Sequence, residues 1–600
     1  MLLNNLILDA INVFNLHATM NDIERNPSRP ISEEDDVFNQ LQNLKTYDQD
    51  FDFHDGNPII TAFDHNNKTI FRDTITGVIL DSALVEAAMQ EEIRYMQSLG
   101  VWDWYPDKNS LPSGLDKIVD HRWALVHNGD SSRPLIRARL VATEVKHDKG
   151  VGGNDPMLFS ATPPLEALRI LLSLAAANPN HVVGQIDVRK AHLYWLSTRR
   201  IAVQLPSQAG SGFGFLRRTL YGTRDAASAW ETEIARVLCD YGLTQGKSSP
   251  YVWRCDTRNL SLIIHGDDLI FTGPKSEFDL LSTYLAGEWD LDVKGCIGKQ
   301  GNKTNLRILG RLLSFYNGQF RLEADPRHVE ILSRLVERGE SARAARHRTS
   351  PGVKISPDDD DYTPSDINDA SQYRSHVMRA AYLSLDRPEI SFAVQQCTKG
   401  MVNPTFGDWT RLKHIARFLR YAPRVVQVFK YQKMQSELVV ECDSDFAGDS
   451  ISRKRTSGFC AFLGNHCILS SCKNQSVIAL SSGEAEFYSL GSAITRGLGL
   501  KSLLEDFGVT VTLRVMCDSS AAIGLSGRRG LGKAKHIATV YLWIQQCVKD
   551  GEVKIKKIDG EKNRSDLMTK YLASVRLFML LEKMGYHVEH GRHDLALDAV

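Results

Sequence analysis

Three aspartates stand where short apolar runs end. Asp187 follows VVGQI, and Asp267–Asp268 lie between the strand-like runs LSLIIH and LIFTG. A Gly-Asp-Asp between two β-runs reads as a hairpin tip, which thrusts the acid pair out of a sheet beside the end of a neighbouring strand. Carboxylates gathered this way suit two Mg2+ ions about 3.5–4 Å apart, an arrangement that holds an attacking 3′-hydroxyl and a departing pyrophosphate in line. Taken alone, an Asp pair in a turn is most often turn chemistry, so its surroundings must decide. Four more acids recur toward the C-terminus: Asp443 ends the strand-like ELVVECD, Glu486 falls in the first turns of a helix beginning LSSGEAEFYSL, Asp518 ends VTLRVMC, and Asp566 sits in EKNRSDLMTKYL on an expected final helix. Such a quartet suits two metals that activate water against a phosphodiester. In isolation, Glu486 reads better as a solvated first-turn acid favoured by the helix dipole.

The elements that must position these acids are legible as an α+β alternation. LVEAAMQEEIRYMQSLG has helical spacing, with Leu84, Ala88, Ile93, Met96 and Leu99 as its apolar stripe and Gly100 as a stop. Short β-like runs follow, interleaved with a helix over 225–241 whose Trp230, Ile234, Val237, Leu238 and Tyr241 share a face. The segment 340–372, rich in Arg, Pro, Asp and Ser, reads as an exposed connection, and its DDDD run as a solvated loop. A last unit from about 436 to 572 alternates strands and helices, and Phe487, Leu490, Ile494 and Leu498 are expected to bury one face of its long helix. No internal repeat is present.

Composition narrows the class. The 600 residues carry 72 basic and 72 acidic side chains, so any polyanion site must come from local segregation of charge. Residues 30–65 are acid-rich, whereas Arg199–Arg200, Arg217–Arg218, Arg343–Arg348, Arg453–Arg455 and Arg528–Lys535 are basic; clusters this short more often solvate a surface than bind phosphate. Ten cysteines include no CxxC pair and no zinc spacing, which predicts mostly buried, reduced thiols of an intracellular protein and no metal knuckle. The longest apolar run, ILLSLAAA at 170–177, is too short to span a bilayer, and no secretory signal is apparent.

The order of these motifs resembles the Pol polyproteins of copia-type retrotransposons, over nearly all of 83–435 and again over 436–572. HRWALVHNGDSSRPLIRARLVAT is similar to the family's fingers segment, TLYGTRDAASAW to its L-Y-G-L-K-Q-A-P-R-x-W, and ILGRLL, DRPEISFAV and WTRLKHIARFLRY to its later motifs. The Asp443, Glu486, Asp518 and Asp566 segments resemble Y-S-D-A-D-W-A-G, E-A-E-Y, D-N-x-x-A-I and A-D-x-L-T-K. The resemblance implies a right-hand polymerase of fingers, palm and thumb, followed by an α/β ribonuclease H-like domain. It implies Arg137 and Arg139 at the incoming triphosphate, Gly222 allowing close approach to the template base pair, Arg224 replacing a family lysine, and His192 where an aromatic ring packs against the incoming sugar. Asp445 and Glu484 are second choices for the nuclease acids. Departures are His265–Gly266 for Tyr-Val, Asp225 for a Gln, His127 for a lysine and Ala538 for an acid after the retained His536.

The expected organisation is a weakly structured leader over 1–80, fingers and palm over 81–285, thumb and connection over 286–435, ribonuclease H over 436–575 and a tail over 576–600. The expected activity is RNA-directed DNA synthesis with ribonuclease H, using two Mg2+ per site with Mn2+ as the alternative. RNA template, RNA–DNA hybrid, DNA primer and deoxynucleoside triphosphates are the partners, with no membrane, in a cytoplasmic particle or the nucleus. The rival reading is an inactive relic, or a host-derived protein, that only binds hybrid. A third is a nuclease whose polymerase is disabled by the changes at His192, Asp225 and His265–Gly266. No capsid, protease or integrase motif is evident.

Overall fold

The computed structural model describes residues 61–63, 69–74, 78–127, 134–144, 163–336, 348–355, 361–365, 367–445, 454–530 and 543–596. Most of the acid-rich leader, His536, Ala538 and the basic stretches at 343–347 and 531–535 lie outside these residues. Within the expected leader, Thr61–Phe63, Thr69–Arg72 and Ile79–Leu80 form a small three-stranded sheet.

The helix Ser82–Ser98 starts where the Asp81 carboxylate accepts the Leu84 N–H at 2.9 Å. Its buried face runs through Val85, Met89, Ile93 and Met96, while Leu84 is exposed. The expected stripe through Leu84 and Ala88 is therefore corrected by one position, because the fingers strands cover the side carrying the larger Val85 and Met89. Those strands are the pair His121–His127 and Ile136–Ala142, and a four-stranded sheet of Trp102–Tyr105, Phe213–Leu216, Ile201–Gln204 and Lys117–Val119 completes the unit.

Six strands make the palm sheet, in the order Thr244–Gln245, Val252–Cys255, Leu260–His265, Asp268–Pro274, His181–Val188 and Leu291–Gly298. Successive side chains alternate between faces. Val183 and Ile270 face the helix Leu165–Ala177, whereas Val182, Ile186 and Leu269 pack with Trp230, Ile234 and Phe278 from the helices Ala226–Asp240 and Lys275–Ala286. Leu291–Gly298 lies beyond the expected palm boundary at 285, so the palm continues to Gly298.

A second sheet, of five antiparallel strands, contains Asn305–Ile308, Arg311–Tyr316, Gln319–Ala324, Arg424–Phe429 and Tyr586–Glu589. Between its third and fourth strands come the helices Pro326–Ser333, Ile367–Ser384, Ser391–Thr398 and Phe406–Tyr421. The expected tail over 576–600 is corrected here. The helix Ser574–Lys583 buries Leu577, Leu580 and Leu581, and the strand after it closes the edge beside Arg424–Phe429.

The last sheet runs His466–Asn474, Thr456–Leu463, Glu437–Ser444, Thr512–Cys517, Val553–Lys557, the first three antiparallel and the last two parallel to Glu437–Ser444. The helix Ser482–Asp506 covers one face, giving the ribonuclease H-like arrangement. This domain is not tethered loosely. One continuous apolar core joins the helix Leu165–Ala177, the five-stranded sheet and the face beneath Phe487 and Leu490. Polar links reinforce it: the Asp506 carboxylate accepts the N–H groups of Lys247 and Ser248 from a palm loop, at 2.9 and 3.1 Å. Among the described residues no helix is long and apolar enough to cross a membrane.

Candidate active sites

Sheet register brings the first acid set together. Asp268 is the direct cross-strand partner of Asp187, and His265 pairs with Asp268, so Gly266 and Asp267 form a two-residue hairpin turn. Gly266 takes φ +63°, and its carbonyl accepts the Trp230 indole N–H at 2.7 Å. The Asp267 carbonyl accepts the Val188 N–H at 2.9 Å, which ties the turn to the strand carrying Asp187. By the two-residue alternation Gln185, Asp187 and Asp268 share one face, and the Gln185 amide donates to Asp268 Oδ1 at 2.9 Å.

These carboxylates repel one another. Burial, opposed by the Gln185 hydrogen bond and helped by Asp267 and Asp187, pushes Asp268 up to about 7. Burial and then Asp267 raise Asp187. The site is thus short of positive charge and offers only hard oxygen donors, which fits a divalent cation of the Mg2+ class.

The fingers contribute cations to this cluster. Arg139 reaches Asp267 at 3.8 Å and lies over the Tyr221 ring at 5.0 Å, while Arg137 opposes the upward shift of Asp187. His192 stands edge-on to Tyr221 with ring centroids 5.4 Å apart, and its Nδ1 is 3.2 Å from the Ala226 carbonyl. Gly222 has φ +84°, and a Cβ there would lie 2.0 Å from the Ala142 carbonyl oxygen. The close approach at Gly222 is therefore to the fingers strand. The Arg224 N–H donates to Glu144, whose carboxylate also pairs with Arg199 at 2.6 Å, and Asp225 joins Arg199 at 3.4 Å. Asp225 thus enters an ion-pair network.

Two charged neighbours were not foreseen. Asp292 is the partner of Asp187 on the opposite strand, and Lys294 pairs with Asp292 and draws Asp187 downward.

The second acid set collects at one end of the ribonuclease H-like sheet. Cys442 and Cys517 are register partners, so the next residues, Asp443 and Asp518, leave adjacent parallel strands side by side. Glu486 comes from the covering helix, and Asp566 from the short 3-10 turn Arg564–Met568, which replaces the expected final helix. Gly458 admits this turn, since a Cβ there would meet Met568 and Thr569 at 2.6 Å.

Asp443, Glu486 and Asp566 are buried and Asp518 is half-buried. Burial, then Asp443, Cys517 and Asp518, push Glu486 up to about 9, and its Oε2 has no hydrogen-bond partner. Burial raises Asp443 to about 6 against the pull of Lys570. Lys570 bridges Asp566 at 2.5 Å and Asp443 at 3.2 Å, and Arg576 pairs with Asp566 at 2.5 Å. An orphaned carboxylate oxygen among repelling acids again fits a divalent cation.

The second-choice acids are committed elsewhere. Glu484 accepts the Leu480 N–H at 3.0 Å and the Tyr488 hydroxyl, and Asp445 accepts the Thr456 N–H at 2.9 Å. Lys570 lies inside the quoted Asp566 motif, yet its bridging role depends on a fold that residue types do not disclose.

No protein-family model matches the chain. The retrovirus-related Pol polyprotein from transposon RE2 of Arabidopsis thaliana is 26% identical over 521 residues, covering 83% of this chain and 34% of that protein. The corresponding polyprotein from transposon TNT 1-94 of Nicotiana tabacum is 26% identical over 523 residues, covering 83% of this chain and 38% of that protein. The chain therefore spans about a third of the length of these curated relatives. Among solved structures, a foamy viral protease-reverse transcriptase in complex with double-stranded DNA aligns with a TM-score of 0.46 and 12% identity, covering 93% of this chain and 82% of that one.

Proposed function

We propose that this chain is the reverse transcriptase and ribonuclease H portion of a Pol polyprotein of the copia type, like the retrotransposon polyproteins it resembles, copying RNA into DNA and degrading the copied template. The observation that carries the reading is the convergence of two separate carboxylate clusters, each at the end of its own sheet and each short of positive charge.

In the polymerase site Asp187, Asp267 and Asp268 would hold Mg2+. Arg137 and Arg139 approach those acids from the fingers and suit the phosphates of an incoming deoxynucleoside triphosphate. Tyr221 and His192 form a wall beside them, where the sugar of that nucleotide would lie. In the nuclease site Asp443, Glu486, Asp518 and Asp566 would hold the metals, and Lys570 orients two of the four. Bound there, Mg2+ would supply activation of the attacking oxygen and stabilisation of the leaving one, with these acids as its ligands. All seven acids converge in the two clusters, which favours an enzyme over a protein that only binds hybrid.

The test is extension of a labelled DNA primer on an RNA template with Mg2+ and deoxynucleoside triphosphates. Extension that disappears with EDTA and returns with Mg2+ supports the reading. A folded preparation that binds hybrid yet never extends the primer overturns the polymerase half.

A further inference from the structure

The ten cysteines carry no spacing of a metal motif, yet one of them reaches the nuclease carboxylates through the fold. The Cys517 sulfur, one Glu486 carboxylate oxygen and one Asp518 carboxylate oxygen all lie within 4.8 Å of one another. Two other observations point to a cation here. Glu486 is 93% buried, and its Oε2 has no hydrogen-bond partner, so an acceptor is held in the protein with nothing to accept from. The cluster is also lopsided in charge: Lys570 and Arg576 sit on Asp443 and Asp566, at 2.5–3.2 Å, whereas among the described residues none forms an ion pair with Glu486 or Asp518. The Cys517 sulfur itself takes a weak bond from the Ser519 N–H at 3.4 Å, lies 4.0 Å from the Ser519 carbonyl and neighbours Cys442.

We infer that Glu486, Cys517 and Asp518 form a binding site for a thiophilic divalent ion of the Zn2+ class, overlapping the Mg2+ site of the nuclease. Mg2+ takes oxygen ligands and gains nothing from a sulfur, whereas Zn2+ binds thiolate at about 2.3 Å together with carboxylate, and Cd2+ and Co2+ also take thiolate. On binding, the Cys517 thiol proton passes to solvent and the sulfur enters the coordination shell. The ion would then tie the end of the strand Thr512–Cys517 to the covering helix. The consequence is competition: a thiophilic ion displaces Mg2+ from the nuclease site, while the palm cluster, built of oxygen donors alone, retains its preference. The competition rests on the function proposed above; the site itself does not.

Co2+ is the probe, because a bound thiolate gives it a charge-transfer absorption that carboxylates do not. Titration of the full chain with Co2+ should produce this band, and Zn2+ should abolish it by displacement. Cys517→Ser should lose the band and weaken Zn2+ binding by about tenfold or more. Cys442→Ser, which alters the neighbouring thiol, should keep the band and serves as the folding control, with circular dichroism for each form. Glu486→Gln retains the thiol but removes a ligand, and should also weaken the band. A band unchanged in Cys517→Ser, or no band in the folded wild type, overturns the site. A Cys517-dependent band in a chain that cleaves no RNA keeps the site and rejects the nuclease reading.

Discussion

Gly222→Ala tests how tightly the fingers must seat on the palm. The new methyl carbon would lie 2.0 Å from the Ala142 carbonyl oxygen and 2.6 Å from Val141 Cγ1. Ordinary carbon–oxygen contacts sit near about 3.3 Å, so the strand Ile136–Ala142 has to retreat by roughly 1 Å. Its retreat strains the hydrogen bond from the Ala142 N–H to the Tyr221 carbonyl at 2.7 Å. It also carries Arg137 and Arg139, on the same strand, away from Asp187 and Asp267. The φ of +84° adds strain of about 1–3 kcal/mol for any residue with a Cβ. Misplacement on this scale in a positioned site costs about a hundredfold in rate. The expected variant extends primers about a hundredfold more slowly and melts at a lower temperature. It keeps its RNA cleavage, because the second carboxylate cluster lies on another sheet. Single-nucleotide incorporation kinetics and a melting curve make the measurement. Wild-type rate and melting temperature together would refute the steric argument and the role given to the fingers arginines.

Asp506→Ala removes the acceptor for two palm-loop N–H groups at a buried position, and should cost about 1–3 kcal/mol. Cuts in the RNA should also lose their fixed spacing from the primer end; a sharp, unshifted cut pattern on a gel would count against Asp506 as the link between domains. His192→Phe should raise selectivity for deoxynucleotides over ribonucleotides and His192→Ala should lower it, since the ring stands against Tyr221 beside Arg139 and Asp267. Equal selectivity in all three forms would remove His192 from the sugar pocket. His181 is buried without a partner on either nitrogen, and burial pushes its pKa down to about 4. The unfolded chain then binds the proton first, so His181 costs stability as pH falls from about 6.5 toward 4. His181→Phe should flatten that part of the stability profile in denaturant titrations, and an unchanged slope would contradict the assignment.

The acids stood out at strand ends and a Gly-Asp-Asp turn, but only the order of the motifs around them raised them above turn and helix-cap chemistry. The structure brings Asp187, Asp267 and Asp268 together by register, and Asp443, Glu486, Asp518 and Asp566 by the convergence of two strands, a helix and a turn. What stayed hidden depends on pairing. Leu291–Gly298 lacks clean alternation because a bulge between Val293 and Gly295 breaks its register, so neither its place in the palm nor the approach of Asp292 and Lys294 could be read. Tyr586–Glu589 has four residues, too few for a period, and becomes a strand only because Arg424–Phe429 offers it an edge. The apolar stripe of Ser82–Ser98 held at Ile93 and Met96 but was off by one at Leu84 and Ala88, because adjacent positions are apolar and only the covering strands choose among them. Cys517 escaped notice because a lone thiol beside Asp518 has no metal-motif spacing, and Glu486 joins the pair only in space.

The central claim is that one chain holds two independent metal-dependent sites acting in turn on the same nucleic acid. The most direct measurement follows a labelled DNA primer and a labelled RNA template together, with Mg2+, for wild type, Asp187→Asn and Glu486→Gln. The wild type should extend the primer and fragment the RNA. Asp187→Asn should fragment RNA in a preformed hybrid but not extend, and Glu486→Gln should extend but leave the RNA whole. Loss of both activities in either folded variant, or extension undiminished in Asp187→Asn, would contradict the account.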